Sequence, residues 1–185
     1  MSPPGKSVTR PVTGLVKKSL FSMLGEELSG QTVIDLYCGT GTMGLECLSR
    51  GARRCFFAEK DPRVVERLVR NLRDLRVMDR ATIWRGDVQA RLAGWLDQVA
   101  DPVDVAFVDP PYADARNWDW QRAAETIFSP LAPHLAEADG CVVLRTDEHA
   151  DVPDTLGPLQ CSRVKTYGDM VIRFFVKTQP IASSQ

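Results

Sequence analysis

Three carboxylates and two rigid turns stand where an open α/β sheet would do chemistry. An apolar run at Val33, Ile34 and Leu36 carries Asp35. It ends in Cys38-Gly39-Thr40-Gly41-Thr42-Met43-Gly44, and a helical pattern resumes at Leu45, Cys47 and Leu48. A strand, a glycine turn and a helix form the ligand-binding corner of such folds. Gly39, Gly41 and Gly44 also spell G-x-G-x-x-G, which alone fits a dinucleotide site or merely a tight turn. Asp35 before the loop and Glu59, which closes the next apolar run (Cys55, Phe56, Phe57, Ala58), decide between ligands. Carboxylates here repel a diphosphate. They suit S-adenosylmethionine (SAM), which presents a sulfonium and an ammonium and carries no phosphate. Glu59 is placed to accept ribose hydroxyls. Asp87, after a third short run at residues 81 to 84, could meet the adenine amine or equally cap the next helix.

The second turn is Asp109-Pro110-Pro111-Tyr112, directly after the apolar run at residues 103 to 108. Two prolines fix φ and donate no N–H, so the Asp109 carboxylate and the Pro110 carbonyl become rigid acceptors at a strand end. Side by side they match the two N–H bonds of a purine exocyclic amine, and Tyr112 offers a flat face to an unstacked base. Pro111 completes the rigid turn.

Elements of regular period position these groups. Residues 1 to 12, with Pro3, Pro4, Gly5 and Pro11 and the cations Lys6 and Arg10, read as a basic mobile arm. Thr13 is placed to cap a helix with the apolar stripe Leu15, Val16, Leu20, Met23 and Leu24 and with Lys17 and Lys18 on its other side. Asp61-Pro62 starts a helix with the stripe Val65, Leu68, Leu72 and Leu75. Its five arginines, Arg63, Arg67, Arg70, Arg73 and Arg76, are diluted by Glu66 and Asp74 and read as a solvated face. A helix spans 88 to 99, a polar loop with two tryptophans 113 to 120, and a helical stretch runs on to about 135. A fifth strand covers 140 to 144. Tyr167-Gly168-Asp169 then joins the last two strands as a hairpin. One domain from 13 to 177 and a disordered tail from 178 to 185 complete the expected organisation.

Composition narrows the function classes. The apolar runs are strand-sized and the start MSPPGKSVTR has no secretory core, so a cytoplasmic protein without a membrane partner is expected. Five scattered cysteines and two histidines indicate neither a disulfide framework nor a metal site. The net charge of −1 conceals +5 over residues 1 to 80 (14 Lys+Arg, 9 Asp+Glu) and −6 over 81 to 185 (9 and 15), a polarity suited to an anionic polymer on one face.

Taken together, RPVTGLVKKSLFSML at 10 to 24, DLYCGTGTMGLECLSRGA at 35 to 52, EKD at 59 to 61, VDPPY at 108 to 112 and KTYGDM at 165 to 170 resemble the RsmD-like family of small-subunit ribosomal RNA guanine-N2 methyltransferases. That resemblance implies a Rossmann-like class I methyltransferase, a seven-stranded, mostly parallel sheet with one antiparallel strand and helices on both faces. It implies SAM as methyl donor, bound by Asp35, Gly39, Gly41 and Glu59, with Asp87 as a further candidate. The base of ribosomal RNA, naked or in a small-subunit particle, falls to Asp109, Pro110, Pro111 and Tyr112. Lys6, Arg10, Lys17 and Lys18 are candidates for the RNA backbone. Val12, Gly14, Leu15 and Lys18 depart from the family's first motif. An adenine-N6 methyltransferase on RNA or DNA, a non-catalytic RNA-binding or assembly factor, and a nicotinamide-dependent oxidoreductase are the alternatives; Asp109 in place of Asn argues against a glutamine amide as substrate.

Overall fold

The computed structural model describes residues 14–178. The arm, the Thr13 cap, Lys6, Arg10 and the tail beyond Thr178 lie outside the described residues.

Five strands, β1 (Thr32–Leu36), β2 (Arg54–Glu59), β3 (Ala81–Arg85), β4 (Val105–Val108) and β5 (Cys141–Asp147), are parallel, and β8 (Met170–Lys177) runs antiparallel beside β5. The full order is β3-β2-β1-β4-β5-β8-β7-β6. The sheet thus carries one strand more than the seven expected. The eighth, β6 (Thr155–Leu156), is a two-residue edge strand on β7 (Leu159–Tyr167), too short to leave a period-2 pattern in sequence. Strand order reverses between β1 and β4, which opens a crevice at their carboxyl ends.

Side-chain alternation sorts the core into two layers. Ile34, Leu36, Phe56, Ala106 and Leu144 face α4 (Val88–Leu96) and the segment that follows α6 (Trp120–Ala123). Val33, Phe57, Phe107 and Val143 face α1 (Gly14–Leu24), α2 (Thr42–Ser49) and α3 (Pro62–Asp74). Asp35, Asp109 and Arg145 share the parity of this second layer, so they look toward α1 and α2. α3 begins as its sequence directs: Asp61 caps it, accepting from the Arg63 N–H at 2.8 Å, with Pro62 in the first turn.

Three expectations are corrected. Leu15 is 77% exposed and the buried face of α1 is Val16, Leu20 and Phe21, because the helix shows the sheet a narrower stripe than its apolar residues permit. Leu75 is 58% exposed, since α3 ends at Asp74 and Arg76 turns the chain away at φ 56°. Residues 113–120 are not simply a loop. Tyr112–Ala115 forms the short helix α5, Asp119 caps α6, and Trp118 packs on Tyr37 and Trp120 with ring centroids 5.8 and 5.3 Å apart. Packed against the core, these tryptophans are structural.

Candidate active site

The crevice holds a cavity of about 550 Å³, lined by Asp35, Tyr37, Gly39, Glu59, Asp61 and Asp109 among others. Asp35 is 1% exposed, and its Oδ2 accepts the Gly44 N–H at 2.8 Å, which ties the strand to the first turn of α2. Burial pushes this carboxyl up to about 7; the Gly44 hydrogen bond works against the rise, while the negative charge of Asp109 adds to it. Glu59 is held by three backbone donors: Oε2 accepts from Gly39 at 3.1 Å, and Oε1 from Lys60 and Asp61 at 2.8 and 2.9 Å. Each carboxylate oxygen offers about two acceptor directions, so Oε2 retains one for a ligand. The same bonds make Glu59 a brace for the glycine loop.

The loop is close-packed from below. A Cβ on Gly44 would stand 2.3 Å from the Phe57 ring and 2.6 Å from Cys55 Sγ, while Gly41 has φ 88° and its Cβ would meet Leu68 at 2.4 Å. Only glycine lets α2 approach the sheet this closely. Asn71 Nδ2 donates to the Thr40 carbonyl at 3.0 Å and steadies the turn from α3. Asp87 sits at the rim between Gly86 and Val88, which line the cavity. Its Oδ1 accepts the Ala90 N–H at 3.1 Å, so its carboxylate serves as the cap of α4.

Around the second turn, the backbone N–H of Asp109 donates to the Leu36 carbonyl at 3.3 Å, fastening it to the end of β1. Asp109 and Pro111 line the cavity, Pro110 is buried, and Tyr112 opens α5. The Asp109 carboxylate does not stand alone. Oδ1 accepts from Arg145 Nε at 2.6 Å and Oδ2 from an Arg145 terminal nitrogen, a two-pronged ion pair. The Arg145 guanidinium also lies 5.9 Å from the Tyr112 ring centroid. Burial raises the Asp109 carboxyl above the usual carboxylate range, and Arg145 offsets only part of that rise.

Sequence reasoning missed Arg145 and Tyr37. The signal for Arg145 was a lone cation in the otherwise apolar run CVVLR, which a buried strand carries only with a partner. Tyr37 takes φ 59°, uncommon for a residue with a Cβ, and so projects its ring into the cavity wall. Of the expected RNA contacts, Lys17 is bound to Glu46 at 2.8 Å, whereas Lys18 is exposed.

The cavity fits SAM. Its volume lies in the range of about 300 to 1,000 Å³ common for small-ligand sites. Glu59 and Asp61, and Asp35 once ionised, bring negative charge to a wall where Lys60 and Arg145 are the cations among the described residues, a donor set favouring a cation over a diphosphate.

Comparison with known proteins finds methyltransferases. "Putative rRNA methyltransferase YlbH" of Bacillus subtilis (strain 168) is 32% identical over 160 residues, 86% of this chain and 83% of its own. "Ribosomal RNA small subunit methyltransferase D" of Escherichia coli (strain K12) is 32% identical over 103 residues, 56% of this chain and 50% of that protein, so the match spans half of it. The solved structure "Putative methyltransferase yhhF from Escherichia coli" is alike in fold, with a TM-score of 0.72 and 23% identity over 95% of this chain and 92% of that one. A family model described as "Conserved hypothetical protein 95" matches residues 1–176, and the chain belongs to this RsmD-like family of methyltransferases.

Proposed function

We propose that this methyltransferase uses SAM to methylate the exocyclic N2 amine of a guanine in small-subunit ribosomal RNA, as free RNA or in a particle. The observation that carries the reading is the convergence on one cavity of the acidic glycine loop and of Asp109 and Pro111 from the second turn, with Pro110 and Tyr112 adjoining them in the chain. SAM supplies, when bound, an electrophilic methyl on a sulfonium. Asp35 and Glu59 attract and orient the cationic ligand, Glu59 through the acceptor direction left on Oε2. Asp109 and the Pro110 carbonyl accept the amine N–H bonds, so that the nitrogen lone pair points into the cavity, and Tyr112 stacks on the base. Ribosomal RNA as the polymer is supported by the names of the two relatives above, both rRNA methyltransferases.

The test is mass-spectrometric mapping of ribosomal RNA from cells with and without the gene, followed by methylation of the unmodified RNA by purified protein and SAM. Loss and restoration of one N2-methylguanosine in small-subunit RNA is expected. An N6-methyladenosine in its place would reassign the target amine, and an unchanged RNA would refute the reading.

A further inference from the structure

Resting on the reading just given, we propose that Arg145 is a positioning residue for methyl transfer: it grips the Asp109 carboxylate from behind and fixes it, as an acceptor, under the target amine.

The sheet brings the two together. In the parallel pairing of β4 with β5, Val108 lies opposite Leu144, so Asp109 and Arg145 are the next residues beyond that pair. Their side chains are 17% and 11% exposed. Beneath them is a void of about 20 Å³ whose other walls, Leu20, Met43, Phe107, Val143 and Ile172, are apolar. An ion pair on such a floor is poorly solvated, and an ion pair of this kind is weak evidence for stability. Arg145 Nη1 is buried with no hydrogen-bond partner among the described residues, a further cost that packing alone leaves unexplained.

The charges around Asp109 supply a reason. Asp35 on β1 is a second buried carboxyl coupled to it; Tyr112 stands on its own segment; Asp147 and Asp169 reach Tyr112 from β5 and the final hairpin. In this acidic setting Arg145 is the opposing cation at Asp109. Without it, burial and the neighbouring Asp35 favour a protonated Asp109, which carries an O–H donor where the amine needs an acceptor. With it, the guanidinium fork takes one acceptor direction on each oxygen and leaves the others. Lysine supplies the charge but not the planar fork. The requirement also explains aspartate here: asparagine has one acceptor atom and cannot receive both prongs.

Arg145→Met and Arg145→Lys would be compared with wild type by single-turnover methylation of RNA from the gene-deleted strain at saturating SAM between about pH 5.5 and 9. SAM affinity by calorimetry and thermal unfolding would be followed in parallel. Arg145→Met is expected to keep SAM affinity within about threefold at about pH 9, where the loss of the Arg145 charge beside Asp35 matters least, to lose about 10² to 10³ in rate near neutrality, and to recover rate as pH rises and Asp109 ionises. Arg145→Lys is expected to fall between the two without the added acid limb. If Arg145→Met does not fold, the Lys variant decides: a rate equal to wild type overturns the inference. Wild-type rate and pH profile in Arg145→Met, or parallel losses of SAM affinity and rate in both variants, also overturn it and leave the methyltransferase reading standing. Wild-type protein that methylates no RNA overturns both.

Discussion

Asp35→Asn tests the electrostatics of the cofactor corner without any RNA. The Asp35 carboxyl is displaced from 3.8 to about 7 by burial, so between those values the native protein holds a proton that the unfolded chain has released. Stability from this group is fully present below 3.8 and is lost as pH rises through about 7. At about pH 8 the loss amounts to roughly 4 kcal/mol, and at about pH 5 to roughly 2 kcal/mol. Asparagine keeps an oxygen for the Gly44 N–H and does not titrate. Any cost of burying its amide nitrogen is the same at both pH values, so it cancels in the comparison. Urea unfolding of the ligand-free proteins is therefore expected to show wild type losing roughly 2 to 3 kcal/mol relative to Asp35→Asn between about pH 5 and pH 8. SAM, a cation, favours the ionised carboxylate. Its affinity for wild type is expected to climb with pH up to about 7, at no more than about tenfold per pH unit, and to be flat in the variant. A stability gap that does not change with pH would refute the picture of a carboxylate held against its own burial.

Other perturbations separate roles that the structure has brought together. Glu59→Ala is expected to weaken SAM binding about tenfold or more, because charge-assisted hydrogen bonds are worth about 1.5 to 3 kcal/mol each. Unchanged affinity by calorimetry would remove Glu59 from the site. Gly44→Ala is expected to destabilise the fold by about 1 to 3 kcal/mol in urea titration, since its Cβ would press on Phe57 and Cys55. Lys18→Ala is expected to lower the salt slope of RNA binding by about 0.7 to 0.9, while Lys17→Ala, whose amine is engaged by Glu46, leaves it nearly unchanged. Equal slopes for both variants would assign these lysines no separate role. Tyr112 Oη is buried without a hydrogen-bond partner among the described residues, so Tyr112→Phe is expected to keep wild-type methylation, and Tyr112→Ala to forfeit about 1 to 3 kcal/mol of stacking. A Phe variant as impaired as Ala would sink the stacking role.

What was legible in the sequence was local. The glycine loop, the Asp61-Pro62 helix start and the Tyr167-Gly168-Asp169 hairpin are fixed by backbone chemistry within a few residues, and each stands where its sequence placed it. The residues that act on Asp109 were not legible, because they arrive through the pairing of β4 with β5, some 36 positions downstream, and no short motif encodes that register. β5 in fact grips both the second turn and the end of the helix that follows it. Arg145 holds Asp109 at its start, and two residues on, Asp147 accepts from Arg116, just past α5, at 2.5 Å. Residues two apart on a strand share a face, so opposite charges at Arg145 and Asp147 clamp one segment that offers them opposite charges in turn. Asp147 is nearly buried and also accepts the His149 N–H at 3.1 Å, which stiffens the strand end bearing it. Two prolines already restrict the backbone of Asp109-Pro110-Pro111-Tyr112 from within. One ion pair restrains that turn from outside and the other the chain just past α5, so a base held as proposed above would meet a frame whose ordering cost is settled in folding rather than in binding.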